Sequence, residues 1–173
     1  MSVSHELLDV VDENDVVIEV KRRGEIHASG LMHRAVHILL FNSRGELFLQ
    51  KRSLNKDEQP GKWDSSAAGH VDSGEQYLAC AEREINEELG VVVEAPLQPL
   101  FKLPATPRTG NEHCMVYRYL YDGALDLQSD EIDDGAWIDP DEMDRRVADD
   151  DPDLTDAIRL IWKRYRETPL SGG

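Results

Sequence analysis

The chain has 173 residues, 40% of them hydrophobic and 31% charged, a balance and length that fit one globular domain with a core of adequate size. With 19 Lys and Arg against 35 Asp and Glu the formal net charge is −16, which argues against binding long nucleic acid through its phosphates but leaves room for a small anion, because exposed charges beyond about 8 Å are screened in physiological salt. No apolar run is long enough to cross a bilayer, and the start Met-Ser-Val-Ser-His-Glu has neither the basic nor the apolar part of a signal peptide, so a cytoplasmic protein without a membrane partner is expected.

In chain order, Leu7 to Val11 and Val16 to Val20 predict a hairpin over about 7–20 with an Asn14-Asp15 turn. Lys21-Arg22-Arg23 reads as a solvated basic turn or as a group facing a phosphate. Gly24 and Gly30 bracket a short segment, one helical turn in length, that contains His27. Val36 to Phe41 is a nearly continuous apolar run and predicts a buried central strand, with Leu47 to Leu49 as its antiparallel neighbour across Asn42-Ser43-Arg44-Gly45. His33 and His37 on this run read as satisfied structural histidines. Lys51 and Arg52 leave the second strand as a basic pair. The loop Asn55 to Trp63 follows, with Lys62 beside Trp63, which reads as a core residue; such loops carry binding groups when a rigid scaffold positions them.

Residues 69–91 read as a glycine-rich loop that opens into a carboxylate-rich helix. Ser73 and Gln76 have capping-box spacing. Leu78, Ala81, Ile85 and Leu89 make one apolar stripe, and Gly90 can take the left-handed conformation that ends helices, so a helix over about 75–89 is predicted. Glu84, Glu87 and Glu88 then stand at i, i+3 and i+4, with Cβ atoms roughly 5–6 Å apart. Like charges at this spacing cost a few tenths of a kcal/mol each, about what any solvated acidic face bears. A hard dication reverses the sign, since Mg2+ is held by a few carboxylates together with substrate phosphates. The face is therefore either half of a metal site or a solvated surface with Arg83 as an incidental partner.

Beyond it, Val92 to Glu94 and Leu97 to Leu103 predict short strands, Thr106 to Asn111 a loop, His113 to Tyr121 an alternating strand and Ala136 to Ile138 a last strand. Asp139-Pro140-Asp141-Glu142 is a helix start with acids where the dipole favours them. A final helix over about 154–166 carries Leu154, Ile158, Ile161, Trp162 and Tyr165 on one face, followed by a frayed Ser-Gly-Gly end. Cys80 and Cys114, inside predicted regular elements and without metal-type spacing, read as buried free thiols. Strands on both sides of a central helix, with helices at the end, indicate an α/β (α+β) sheet packed between helices.

The spacing Gly69, five residues, Glu75, seven residues, Arg83-Glu84, Ile85, Asn86, Glu87-Glu88, Leu89, Gly90, Val91 matches every fixed position of the Nudix box, and the chain resembles the Nudix hydrolase family from about Asp12 to Ile138. That resemblance implies an α-β-α sandwich around a mixed sheet, often as a homodimer, that hydrolyses the diphosphate of a small molecule such as a nucleoside diphosphate derivative with Mg2+ or Mn2+. It makes Glu84, Glu87 and Glu88 the metal ligands, with Glu75 as a further ligand or outer-shell contact. It has Arg83 orient one of them and Gly69 let the backbone approach, while Lys51, Arg52 and Lys62 are candidates for the substrate. Glu131 occupies the place of a loop carboxylate acting as base in some members, with Glu112 as rival and Asp130, Asp133 and Asp134 crowding the same loop.

A second similarity competes with the first. Leu31-Met32-His33-Arg34-Ala35, Pro60-Gly61-Lys62-Trp63, Gly69-His70 and Asn111-Glu112-His113-Cys114 are similar to isopentenyl-diphosphate isomerase, in which His33, His70 and Glu112 match part of a metal site. The isomerase thiol, however, corresponds to Ala68, and the isomerase lacks a strict box. A catalytically silent diphosphate-binding domain is a third reading, disfavoured because a binding module gains little from three mutually repelling acids. Hydrolase is the expectation.

Overall fold

Alternate residues of one nine-residue strand, His33–Phe41, fill two separate cores. In the computed structural model, which describes residues 6–56 and 58–168, the elements are β1 (Leu7–Val11), β2 (Val17–Arg22), α1 (Arg23–Ser29), β3 (His33–Phe41), β4 (Leu47–Arg52), β5 (Trp63–Asp64), β6 (Ala67–His70), α2 (Tyr77–Leu89), β7 (Gln98–Leu103), β8 (Glu112–Leu120), β9 (Ile132–Ile138), α3 (Pro140–Ala148) and α4 (Asp156–Glu167). The expected Ser-Gly-Gly fraying lies outside the described residues. Ala35, Leu39 and Phe41 pack with Met143 of α3 and with Ile158, Ile161 and Trp162 of α4. Val36, Ile38 and Leu40 pack on the other face with Cys80, Ala81, Ile85 and Leu89 of α2. Burial on both faces is why the run reads as continuously apolar, and it yields the expected α-β-α sandwich.

The sheet is mixed, with order β5-β4-β3-β8-β7, β6 added to β3 and β9 to β4. β3 and β8 run parallel from His33↔Glu112 to Phe41↔Leu120, whereas the other pairings are antiparallel. β3 and β4 share only the pair Phe41↔Leu47 before they diverge, and β6 then lies on β3 from Ala35↔His70 to Ile38↔Ala67. Fully buried Ser66 spans the divergence: its hydroxyl accepts from Leu40 N at 2.8 Å and donates to Phe48 O at 2.6 Å. The opening left between the strands is where the acidic helix meets the sheet.

Several local expectations give way to long-range contacts. The predicted capping box does not form, since the Ser73 hydroxyl donates to Asp9 Oδ1 at 2.8 Å, and α2 starts at Tyr77, two residues later than expected. Leu78, placed on the apolar stripe by period, is 42% exposed. Lys21-Arg22-Arg23 is no turn: β2 runs through Arg22 and Arg23 opens α1, a seven-residue helix that includes Gly24. Val92 to Glu94 form no strand, and Val92 is 68% exposed. β9 spans seven residues where three were expected, and the last helix starts at Asp156 behind a Thr155 cap that accepts from Ile158 N. β6, read from the sequence as a loop, is a strand.

Candidate active site

α2 lays its acidic face against the end of β6. Leu89, Ile85 and Ala81 anchor the helix in the core, which turns Glu84 and Glu88 inward and leaves Glu87 outward. Glu88 is 6% exposed, and its Oε1 accepts from Ala68 N at 2.8 Å and from Gln50 Nε2 at 3.2 Å. Glu84 lies on the backbone of Gly69 so closely that a Cβ there would be 2.2 Å from the carboxyl carbon. The glycine is required by that approach, since its backbone is otherwise ordinary strand. Burial first, then repulsion from Glu88, pushes the Glu84 pKa up to about 8. Burial pushes Glu88 up to about 7 against its hydrogen bonds from Ala68 and Gln50.

Arg83 ties the face together. Its Nε and Nη2 donate to the two oxygens of Glu75, each at 2.9 Å, a bidentate pair. Nη1 donates to Glu84 at 2.7 Å and to Glu87 at 3.3 Å, and Nη2 also reaches His70 O at 3.2 Å. Glu75, in addition, accepts from Asp72 N at 3.1 Å. Its carboxylate is thus committed to Arg83 and the loop, which fits an outer-shell contact better than a ligand.

A cleft of about 670 Å³ opens over this face and is lined by Glu84, Glu87, Glu88, Arg83, Gly69, Arg52, Lys56, Arg108, Asp130 and Glu131 among others. Lys51 and Lys62 do not line it. In β4 the residues Phe48 and Gln50 face α2 whereas Leu47 and Leu49 face α4, so alternation sends Arg52 to the cleft side and Lys51 to the other. Arg52 donates to Glu58 O at 3.0 Å and to Asp64 Oδ2 at 3.4 Å. Lys56, which the sequence did not single out, forms an ion pair with Glu131. Burial lowers the Lys56 pKa. Of the crowded loop acids, Asp133 accepts from Leu54 N at 3.2 Å and Asp134 from Gly135 N at 2.8 Å, both exposed.

The same cleft reaches a second cluster. Glu112 Oε2 meets His70 Nε2 at 2.7 Å and His33 Nε2 at 3.2 Å, and the His27 ring lies 5.3 Å from that of His33 and 5.2 Å from that of His70. Burial works against the Glu112 carboxylate, yet the two histidines hold it well below the usual range. His33 and His70 are therefore part of a shared polar site, and His27, isolated between glycines in the sequence, joins it from α1. His37 is the satisfied structural group expected, with Nδ1 on Ser65 Oγ at 2.7 Å. Cys80 and Cys114 are free and buried, their thiols pushed up chiefly by burial. Ala68 stands where the isomerase thiol would be, paired with His37 across β3 and β6.

Comparison with known proteins identifies the family and the fold. The NUDIX domain family profile matches residues 31–158. A Nudix hydrolase of Yersinia pestis is 36% identical over 167 residues, 94% of this chain and 88% of its own length. A Deinococcus radiodurans crystal structure superposes with a TM-score of 0.81 at 29% identity, covering 92% of this chain and 98% of that one. The Nudix domain of Shewanella oneidensis NrtR, solved with ADP ribose, shares the fold with a TM-score of 0.60 at 20% identity over 86% of this chain and all of that one.

Proposed function

This chain belongs to the Nudix hydrolase family, and on that premise we propose that it cleaves the P–O–P linkage of a small organic diphosphate, a nucleoside diphosphate derivative foremost, with Mg2+ or Mn2+ held by Glu84, Glu87 and Glu88. The observation that carries this reading is the buried pair Glu84 and Glu88: two adjacent carboxylates pushed toward their protonated forms, under a glycine that leaves room only for backbone. Such a pair is poorly placed on its own and well placed around a hard dication, which accepts oxygen ligands and offsets their repulsion. The donor set fits the ion. When bound, the cation neutralises the diphosphate and makes a coordinated water more acidic.

The chain's own groups take the remaining tasks. Arg83 fixes the rotamer of Glu84 through the 2.7 Å contact while Glu75 holds Arg83 from behind. Arg52, Lys56 and Arg108 present positive charge to the cleft where a diphosphate would lie. Glu131, oriented by Lys56, is the base that takes the proton of the attacking water. Glu112 suits that task less, because a carboxylate stabilised as an anion by two histidines is a weak base. The isomerase reading lacks its thiol, and the relatives named above are hydrolases or share the hydrolase fold.

The test is phosphate release, with added phosphatase, from a panel of nucleotide sugars, dinucleotides, coenzyme A and isoprenoid diphosphates in Mg2+ or Mn2+. Glu88→Gln keeps an acceptor for Ala68 N, so the fold should persist while turnover falls on the order of 100- to 1,000-fold. Turnover of the variant at the unmodified rate would reject the assigned role, and silence toward the whole panel with metal present would favour a binding domain instead.

A further inference from the structure

We propose that β2 is the contact edge between two copies of this chain, which join their hairpins into one four-stranded antiparallel sheet about a two-fold axis at Val20. The β1–β2 pair is a sheet of its own, and β2 has no second strand neighbour among the described residues. Free edges of the larger sheet are blunted: β7 carries Pro99 and Lys102, and β9 carries Asp133, Asp134 and Gly135. On β2 the opposite holds. Leu8 and Val10 of β1 turn inward against Ile26 of α1, which leaves Leu7, Ile18 and Val20 on the outer face of the hairpin, 53%, 60% and 49% exposed. An apolar strand with one unpaired edge is a template for the addition of another strand.

Backbone parity and charge select the occupant. Arg23 N donates to Glu6 O at 2.8 Å, so along the same ladder Lys21 and Glu19 also direct their N–H and C=O groups to β1. The backbone groups of Ile18, Val20 and Arg22 then point away from β1, and an antiparallel mate pairs with these three. Centring the axis on Val20 places Val20 opposite its own copy, Ile18 opposite Arg22 of the second copy and Glu19 opposite Lys21 of the second copy. The Glu19–Lys21 pair is of the non-hydrogen-bonded kind, in which facing side chains come closest, and it occurs twice with opposite charges. Neighbouring registers lose this match. An axis on Glu19, Lys21 or Arg22 sets like charges face to face, and an axis on Ile18 leaves Glu19 facing Val17. Within one chain Lys21 Nζ already lies 3.3 Å from Glu19 Oε1, so in the dimer the four charges alternate in sign around the axis. A second copy thus supplies the complement that this edge asks for.

The contact is independent of the hydrolase reading, and mass rather than turnover measures it. Sedimentation equilibrium of the full chain, from micromolar to near-millimolar concentration, should show reversible monomer–dimer exchange. Val20→Lys sets two like charges together at the axis and should raise the dimer Kd about fivefold or more. Glu19→Lys and Lys21→Glu should each be monomeric alone where the unmodified chain dimerises. An equimolar mixture of the two should form the heterodimer, because each supplies the charge that the other has lost; the contact within one chain cannot produce that rescue. Circular dichroism checks that each variant is folded, and the two exposed charge variants decide if Val20→Lys is not. A chain that is monomeric at every concentration would overturn the proposal and leave the β2 edge to an extended segment of another protein. A dimer unchanged in folded Val20→Lys, or a mixture of folded charge variants that stays monomeric, would overturn it equally.

Discussion

A glycine and a carboxylate define the tightest point of the cleft. An alanine at position 69 would place its Cβ 2.2 Å from the Glu84 carboxyl carbon and 2.4 Å from Oε1, closer than any non-bonded approach. The carboxylate would have to move, and Arg83, tied to it at 2.7 Å, would move with it. Gly69→Ala should therefore cost about 1–3 kcal/mol of stability, the range for inserting a methyl into a packed site, and should lower turnover more than substrate affinity. Steady-state kinetics beside urea denaturation would check it; unchanged turnover would show that Glu84 need not hold its position. At this scale spacing placed Glu84, Glu87 and Glu88 on one helix face, and the family resemblance implied the contacts of Arg83 with Glu84 and of Gly69 with the site. The sequence was silent about Lys56 and His27, because neither belongs to a periodic pattern and each acquires its partners only from distant elements.

Elements meet through the hairpin turn as much as through the core. Asp15 adopts φ 61, a left-handed conformation unusual for a residue other than glycine, and its side chain takes Arg34 Nε at 2.7 Å, the Tyr77 hydroxyl at 2.7 Å and the Lys102 ammonium. One carboxylate thus joins the β1–β2 turn to β3, to the first residue of α2 and to β7. Burial opposes its charge, yet these partners outweigh it and lower its pKa. Asp15→Asn keeps a residue that tolerates the left-handed turn but removes the charge from a side chain that is 8% exposed. Charge-assisted hydrogen bonds of this kind contribute about 1.5–3 kcal/mol, and a loss near that size is expected in urea denaturation at neutral pH. A change below about 0.5 kcal/mol would mean that the turn is a surface feature. The Ser73–Gln76 spacing shows the same lesson from the other side: a local cap was legible, but Asp9, 64 residues away, is the stronger partner of that hydroxyl.

Across the whole molecule, the two buried glutamates outweigh His27, whose pKa, lowered to about 4 by burial first, opposes them below about pH 6.5. Glu84 and Glu88 ionise near 4.5 when unfolded and near 8 and 7 when folded, so between about pH 4.5 and 8 the folded state holds more protons than the unfolded. Stability of the metal-free protein should therefore fall as pH rises through that window, and His33, whose pKa is raised by Glu112 against burial, adds to the fall near its upper end. Saturating Mg2+ should flatten the profile by stabilising the ionised pair. Urea midpoints at about pH 5, 6.5 and 8, with and without Mg2+, would measure this. An equal slope in Glu84→Gln/Glu88→Gln would place the effect on the net charge of −16 instead.

The sequence alone determined the α2 helix, its anchoring apolar residues, the acidic face, the buried central strand and the terminal helix. Each of these follows from short-range periodicity or spacing, which a chain carries whatever it folds against. Tertiary structure decided which face of β4 met the cleft, how Glu75 was engaged, where α2 began, and that His27 of α1 joins His33, His70 and Glu112. Those outcomes depend on the divergence of β3 and β4 and the parallel pairing of β3 with β8, contacts between residues far apart in the chain that no local pattern encodes.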